Sequence, residues 1–269
     1  MPRPLLQRLF SLEKRTILVT GASGGIGRVL ATAFAEAGGS LGLHGTTAAK
    51  LEEVRRHVEA TGAQAAVLPA DLRTAQGCRD LIARATDALG GLDVLVNCVG
   101  INRRKPIHAV TEDDYDAIHA VNLRSAFFLS QAAHPVLKAR GGGKIIHFGS
   151  MTSSLGLALV SVYGMTKAAI VQMTKTMAVE WARDGIQVNC ILPGFLRTPL
   201  TEEYFWGDDH RRRWLLERIP AGRGGTPEDL AGAALLLAAP ASNYITGQAL
   251  AVDGGFLAGG SWDRDDLPE

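Results

Sequence analysis

The run Thr16-Ile17-Leu18-Val19-Thr20-Gly21-Ala22-Ser23-Gly24-Gly25-Ile26-Gly27 decides the fold. Its first five residues mix β-branched and apolar side chains, as a buried strand does. Glycines follow at 21, 25 and 27, and from Ile26 to Ala37 apolar residues recur at helical spacing. A strand that turns through glycines into a helix N-terminus presents free N–H groups and a positive dipole end to an anion. Glycine leaves room there for a tight turn, for close approach of a pyrophosphate and for close helix–strand packing. Gly21, Ser23, Gly25, Ile26 and Gly27 are therefore candidate contacts for a dinucleotide.

Working outward, short β-rich runs at 16–20, 40–45, 64–68, 93–97, 144–148, 187–192 and 249–252 alternate with helical patterns at 26–37, 48–60, 76–89, 113–133, 160–183 and 227–238. Seven strands alternating with six helices predict a Rossmann-type α/β fold, a doubly wound parallel seven-stranded sheet with helices on both faces. No linker, repeat or low-complexity segment interrupts the pattern. Residues 1–269 are expected to form a single domain, with 12–110 mainly dinucleotide-binding and 111–258 catalytic. The stretch 195–225 breaks the rhythm after a strand end and is rich in charge and aromatics. It reads as a substrate-covering lid, with a plain surface excursion as the alternative.

With 28 basic and 27 acidic residues the net charge is +1, which gives no electrostatic case for nucleic acid or a membrane surface as partner. A small-molecule ligand is expected. No run reaches the roughly 18 apolar residues of a membrane span. The N-terminus lacks the continuous apolar segment of a secretory signal, because Gln7 and Arg8 interrupt it. Cys78, Cys98 and Cys190 fit neither a disulfide framework nor a zinc pattern, and the histidines have no metal spacing, so no metal is expected. The thiols read as reduced in a cytoplasmic protein, with Cys98 and Cys190 in the core.

Reducing a ketone takes a hydride on carbon and a proton on the nascent alkoxide, so an acid must stand ready. Tyr163-Gly164-Met165-Thr166-Lys167 supplies one: residues four apart share a helix face, and the Lys167 ammonium there favours the ionised phenol of Tyr163. Ser150 closes the fifth strand, where a hydroxyl can polarise a carbonyl, although Thr152, Ser153 and Ser154 are rivals. At the end of the second strand, Leu43-His44-Gly45-Thr46-Thr47 carries no carboxylate to repel a ribose 2′-phosphate. Thr46 and Thr47 can bond a phosphate, with Arg28 or Lys50 as cations nearby. NADP(H) is favoured and NAD(H) remains possible.

Thr20-Gly-x-x-x-Gly25-x-Gly27 with Tyr163-x-x-x-Lys167 resembles the fingerprint of the short-chain dehydrogenase/reductase family, and the resemblance spans residues 16–255. It implies an oxidoreductase that interconverts a ketone and a secondary alcohol. It also selects Ser150 among the rival hydroxyls. In Ala70-Asp71-Leu72 the resemblance implies an adenine contact at Asp71, with a helix N-cap as the other reading. Asn97-Cys98-Val99-Gly100 stands where the family usually has Asn-Asn-Ala-Gly, so only the backbone role of that turn carries over. Asn122 matches an asparagine that holds a water leading to the lysine, although a buried asparagine satisfied by backbone would look the same. Pro193 and Gly194 match a turn beneath the nicotinamide, and Thr198 a residue bonding carboxamide or phosphate. The family's Lys also contacts the nicotinamide ribose, which puts Tyr163 and Lys167 in the cofactor site as well.

The basic loop Gly100-Ile101-Asn102-Arg103-Arg104-Lys105-Pro106 and the run Ile219-Pro220-Ala221-Gly222-Arg223 resemble the gluconate 5-dehydrogenase and 2-deoxygluconate 3-dehydrogenase branch. Cations there and in the lid triplet Arg211-Arg212-Arg213 would suit a carboxylate substrate such as a sugar acid, with solvated surface or subunit contacts as the alternative. Leu43-His44-Gly45-Thr46 instead resembles some 3-oxoacyl-carrier-protein reductases. A non-catalytic dinucleotide sensor is the reading from another class, set against the joint presence of Asn122, Ser150, Tyr163 and Lys167. The family commonly forms tetramers, and the apolar surplus of 160–183 leads to the same expectation here.

Overall fold

The computed structural model describes residues 4–260. Seven parallel strands form one sheet in the order β3-β2-β1-β4-β5-β6-β7. They are β1 Thr16–Thr20, β2 Ser40–Gly45, β3 Ala65–Pro69, β4 Val94–Asn97, β5 Gly143–Phe148, β6 Ile186–Pro193 and β7 Ala249–Val252. The expected doubly wound sheet is what forms. Its central strands are apolar on both faces because both are covered: along β1, Ile17 and Val19 enter one core cluster while Leu18 enters the other. Helices α2 (Gly25–Glu36), α3 (Ala48–Glu59) and α10 (Ala231–Ala238) close the first face through Leu30, Phe34, Leu51, Val54 and Leu237. Helices α4 (Ala75–Leu89), α6 (Ser125–Ala139) and α7 (Ser161–Trp181) close the second through Leu81, Leu129, Leu137 and Met177.

The chain winds from β1 outward to β3, then returns to β4 and winds the other way. The crevice beyond the carboxyl ends of β1 and β4 is the switch point at which such sheets bind ligands. The turns after these two strands touch there, since a Cβ on Gly21 would lie 3.3 Å from the Cys98 carbonyl oxygen.

Two elements depart from the sequence pattern. Helix α1 (Leu5–Phe10) was not expected, and it buries no side chain, so no amphipathic period marks it. The single helix expected over 113–133 is instead α5 (Glu112–His119), a π-turn over Ala120–Arg124 and α6. A π-turn adds a residue to the helical ladder without altering composition, so apolar spacing does not reveal it. The stretch after β6 holds a single turn α8 (Pro199–Thr201), a π-turn over Glu202–Trp206 and helix α9 (Asp209–Arg218). Its Phe195, Trp206, Leu215 and Ile219 pack with Met151 in a small core of their own. No helix among the described residues is long and apolar enough to cross a membrane.

Candidate active site

The glycine turn has the shape a pyrophosphate cradle needs. Gly21 has φ +71°, and a Cβ on Gly27 would lie 2.2 Å from the Gly21 carbonyl oxygen, so no larger residue fits this helix start. A histidine that the sequence assigned no chemistry pins the turn. His44, at the end of β2, accepts at Nδ1 from the Gly21 N–H (3.4 Å) and meets the Ala70 carbonyl at 3.2 Å through Nε2. Burial pushes its pKa down to about 4, so it stays neutral and can accept at one nitrogen while donating at the other. No spacing motif marks this role, because its partners come from two other strand ends.

Beyond the turn, Thr46 and Thr47 are exposed after β2, and Asp71 is exposed after β3, gripped by the Arg73 guanidinium. Asp71 is not the N-cap of α4; Thr74 is, its hydroxyl accepting from the Gly77 N–H at 3.0 Å. Leu72 is buried in the second core. Asn97 is 6% exposed and turns its amide inward, donating to Ser130 Oγ and meeting His147 Nδ1, both at 3.2 Å. Burial first, and the nearby Lys167 charge second, push the His147 pKa down to about 3. Cys190 lies in the core, and half-buried Cys98 packs against the first core cluster while also lining the cleft.

One cleft, about 1060 Å³ of space open to solvent, gathers Ile26, Gly100, Ser150, Tyr163, Lys167, Pro193, Gly194 and Thr198. Ser150 Oγ accepts from the Thr152 N–H at 3.1 Å, which leaves its own proton free to donate. Lys167 is buried, with its Nζ 5.6 Å from the Tyr163 ring centroid. A Cβ on Gly100 would lie 3.4 Å from that Nζ and 3.6 Å from Asn122 Oδ1, so the β4 turn, Asn122 and Lys167 converge on one spot. Asn122, inside the π-turn, is satisfied by protein: Oδ1 accepts from the Ile101 N–H at 2.8 Å, and Nδ2 donates to the Ile101 carbonyl at 3.0 Å and to Thr166 Oγ1 at 3.2 Å. Its side chain ties the β4 loop to helix α7.

The basic loop splits. Arg103 and Lys105 both pair with the buried Asp114 of α5, whereas Arg104 turns into the cleft wall. The triplet Arg211-Arg212-Arg213, expected at the mouth of the site, does not line the cleft: Arg211 pairs with Asp208 at 3.5 Å and Arg212 with Asp209 at 2.7 Å. The cleft-facing side of the stretch consists of Phe195, Leu196, Thr198, Thr201 and Phe205.

A glycine cradle at the switch point, leading into a cleft with a serine and a Tyr–Lys pair on facing elements, defines a nicotinamide-dependent oxidoreductase acting on CH–OH groups and the corresponding ketones. The residues fit a dinucleotide, since the cradle is shaped by positions where a Cβ would collide. A family model described as "Enoyl-(Acyl carrier protein) reductase" matches residues 21–257. Gluconate 5-dehydrogenase of Gluconobacter oxydans (strain 621H) is 38% identical over 92% of this chain and 96% of its own. The 2-dehydro-3-deoxy-D-gluconate 5-dehydrogenase of Escherichia coli (strain K12) is 40% identical over 93% of this chain and 98% of its own. Among solved structures, a gluconate 5-dehydrogenase from Burkholderia cenocepacia J2315 in complex with NADP and tartrate superposes with a TM-score of 0.90 at 37% identity, covering 94% of this chain and 98% of that one. The chain belongs to the short-chain dehydrogenase/reductase family.

Proposed function

We propose that the protein interconverts a keto and a secondary-alcohol form of a sugar acid, with NADP(H) as the preferred cofactor. The observation that carries the substrate class is a set of unmet polar atoms. Asn102 Oδ1, Arg104 Nε and Thr152 Oγ1 are buried without a hydrogen-bond partner, and all three residues line the cleft. A buried polar atom without a partner is costly, so these await a ligand with complementary groups. Arg104 asks for a carboxylate and Asn102 Oδ1 for a hydroxyl donor, which together describe a polyhydroxy acid better than the apolar chain of an acyl thioester. The names of the related enzymes and the tartrate in the Burkholderia complex, itself a hydroxy acid, support the same class.

In this reading NADP(H) is held by the turn Gly21–Gly27, by Thr46 and Thr47 at the ribose phosphate, by Asp71 and the backbone of Leu72 near the adenine, and by Asn97, Gly100, Pro193, Gly194 and Thr198 toward the nicotinamide. Bound there, it supplies or accepts the hydride. Ser150 donates a hydrogen bond to the substrate oxygen and so polarises the carbonyl. Tyr163 gives the proton that completes the alcohol and takes it back in the reverse direction. Lys167 stabilises the phenolate left behind, and Asn122 fixes the loop against which the ammonium rests. Residues 12–110 serve mainly the cofactor, 111–258 the chemistry, and 195–225 cover the substrate. The protein works in the cytoplasm as a homotetramer: Phe127 of α6 is 42% exposed and Val179 of α7 is 81% exposed, apolar surface on adjoining helices that isologous pairing would bury.

The test is turnover of a panel of sugar acids, uncharged ketoses and a 3-oxoacyl thioester with NADPH and NADH. The expected result is highest kcat/KM for a sugar acid with NADPH. A thioester preferred over every acid would overturn the substrate class, and binding of NADPH without turnover of any member would overturn catalysis.

A further inference from the structure

We infer that Tyr204 on the lid is a positioning residue that holds the Arg104 guanidinium ready for a substrate carboxylate, an inference that rests on the sugar-acid reading above. Of three consecutive cations, Arg103 and Lys105 are tied to Asp114, and Arg104 has no ion-pair partner among the described residues. Aromatic faces hold it instead. Its Cζ lies 4.4 Å from the Tyr204 ring centroid and 5.2 Å from that of Phe205. The Tyr204 ring is gripped in turn by Arg211, whose Cζ is 4.1 Å from the centroid and whose guanidinium donates to the Tyr204 carbonyl at 3.1 Å. Phe205 meets Phe195 edge-on at 5.4 Å, which anchors the brace in the small core beneath the lid.

Stacking engages the flat face of a guanidinium and leaves its in-plane N–H donors free. That accounts for a buried Arg104 Nε with no acceptor. A carboxylate meets those in-plane donors two at a time. The brace has also removed side-chain freedom that an unsupported arginine would lose on binding. Two guanidinium groups on one tyrosine ring repel each other, and an anion beside Arg104 offsets that repulsion where a neutral ligand does not. The consequence falls on affinity for the acid and leaves the chemical step alone.

The experiment compares Tyr204→Leu, Tyr204→Phe, Arg104→Met and the Tyr204→Leu/Arg104→Met double variant in steady-state reduction of 5-keto-D-gluconate with NADPH. Tyr204→Leu is expected to raise KM for the keto acid about tenfold, with kcat and the KM for NADPH within about twofold of wild type. Tyr204→Phe keeps a ring face and stays within about twofold throughout. The double variant matches Arg104→Met alone, because without the guanidinium the brace has nothing to hold. A loss in Tyr204→Phe as large as in Tyr204→Leu, an effect on kcat in place of KM, or additive single effects would overturn the brace. An Arg104→Met variant with unchanged KM would overturn the sugar-acid reading itself. A raised KM in Arg104→Met beside a wild-type KM in Tyr204→Leu sinks the brace alone.

Discussion

The Lys167 ammonium donates to the Phe148 carbonyl at 2.7 Å, joining the helix that carries Tyr163 to the end of β5, two residues before Ser150. The lysine thus fixes Tyr163, the proposed acid, relative to Ser150, the proposed polarising hydroxyl. We expect Lys167→Ala to lower kcat, weaken NADPH binding and reduce thermal stability together, since it empties a buried position. Tyr163→Phe removes the phenolic proton and little volume, so kcat should fall by about 10²-fold or more while the Kd for NADPH stays near wild type. Steady-state kinetics with cofactor titration separate the two, and near-normal turnover in Tyr163→Phe would remove that residue from the mechanism.

In the proposed function, cofactor choice turns on the end of β2. An acid there should reject the 2′-phosphate, but Gly45 is a poor place for it: a Cβ would meet Ser23 Oγ at 2.9 Å and Leu51 Cδ2 at 3.2 Å. Thr46, one residue on, is exposed. We expect Thr46→Asp to lower kcat/KM with NADPH by about tenfold, roughly 1.4 kcal/mol, while sparing NADH. Gly45→Asp should lose both cofactors, because it disturbs the glycine turn through Ser23. Parallel kinetics with NADPH and NADH decide it; a wild-type enzyme preferring NADH tenfold would place selectivity elsewhere.

Acid should unfold the protein through its buried histidines. Burial pushes His44 from 6.5 down to about 4 and His147 to about 3, so both are neutral in the fold. Below about 6.5 the unfolded chain takes up protons that the folded chain refuses. Stability is therefore complete above that pH and is lost as the pH falls from 6.5 toward 4, with His44 contributing about 3 kcal/mol across the window. Thermal melts from pH 7.5 to 4.5 should show a falling Tm, with a shallower fall in His44→Gln, whose amide can serve both backbone partners without titrating. The same slope in both proteins would exclude His44 as a source.

Light scattering at micromolar concentration should report a tetramer. Phe127→Glu combined with Val179→Glu places charge on the exposed faces of α6 and α7 and should give a smaller species with native secondary structure. A tetramer unchanged by both substitutions would place the assembly surface on another part of the molecule.

The sequence by itself determined the fold and singled out Ile26, Gly100, Ser150, Tyr163, Lys167, Pro193, Gly194 and Thr198, which meet in the cleft. Strand and helix periods are local properties of the chain, and β1 begins and ends where its β-branched run does. The glycines at 21 and 27 were legible because backbone sterics permit nothing else there. The Tyr163–Lys167 spacing and Ser150, just beyond β5, pointed to the proposed chemistry for the same reason, since each is fixed by the element that positions it. Tertiary structure decided what depends on partners distant in sequence. Three adjacent cations are equivalent as residues, and only the packing of α5 brings Asp114 to Arg103 and Lys105 and sends Arg104 into the cleft. Likewise Asn122 bonds Ile101 and Thr166, and His44 pins a turn 23 residues away, because a parallel sheet brings strand ends together at one edge whatever their separation along the chain.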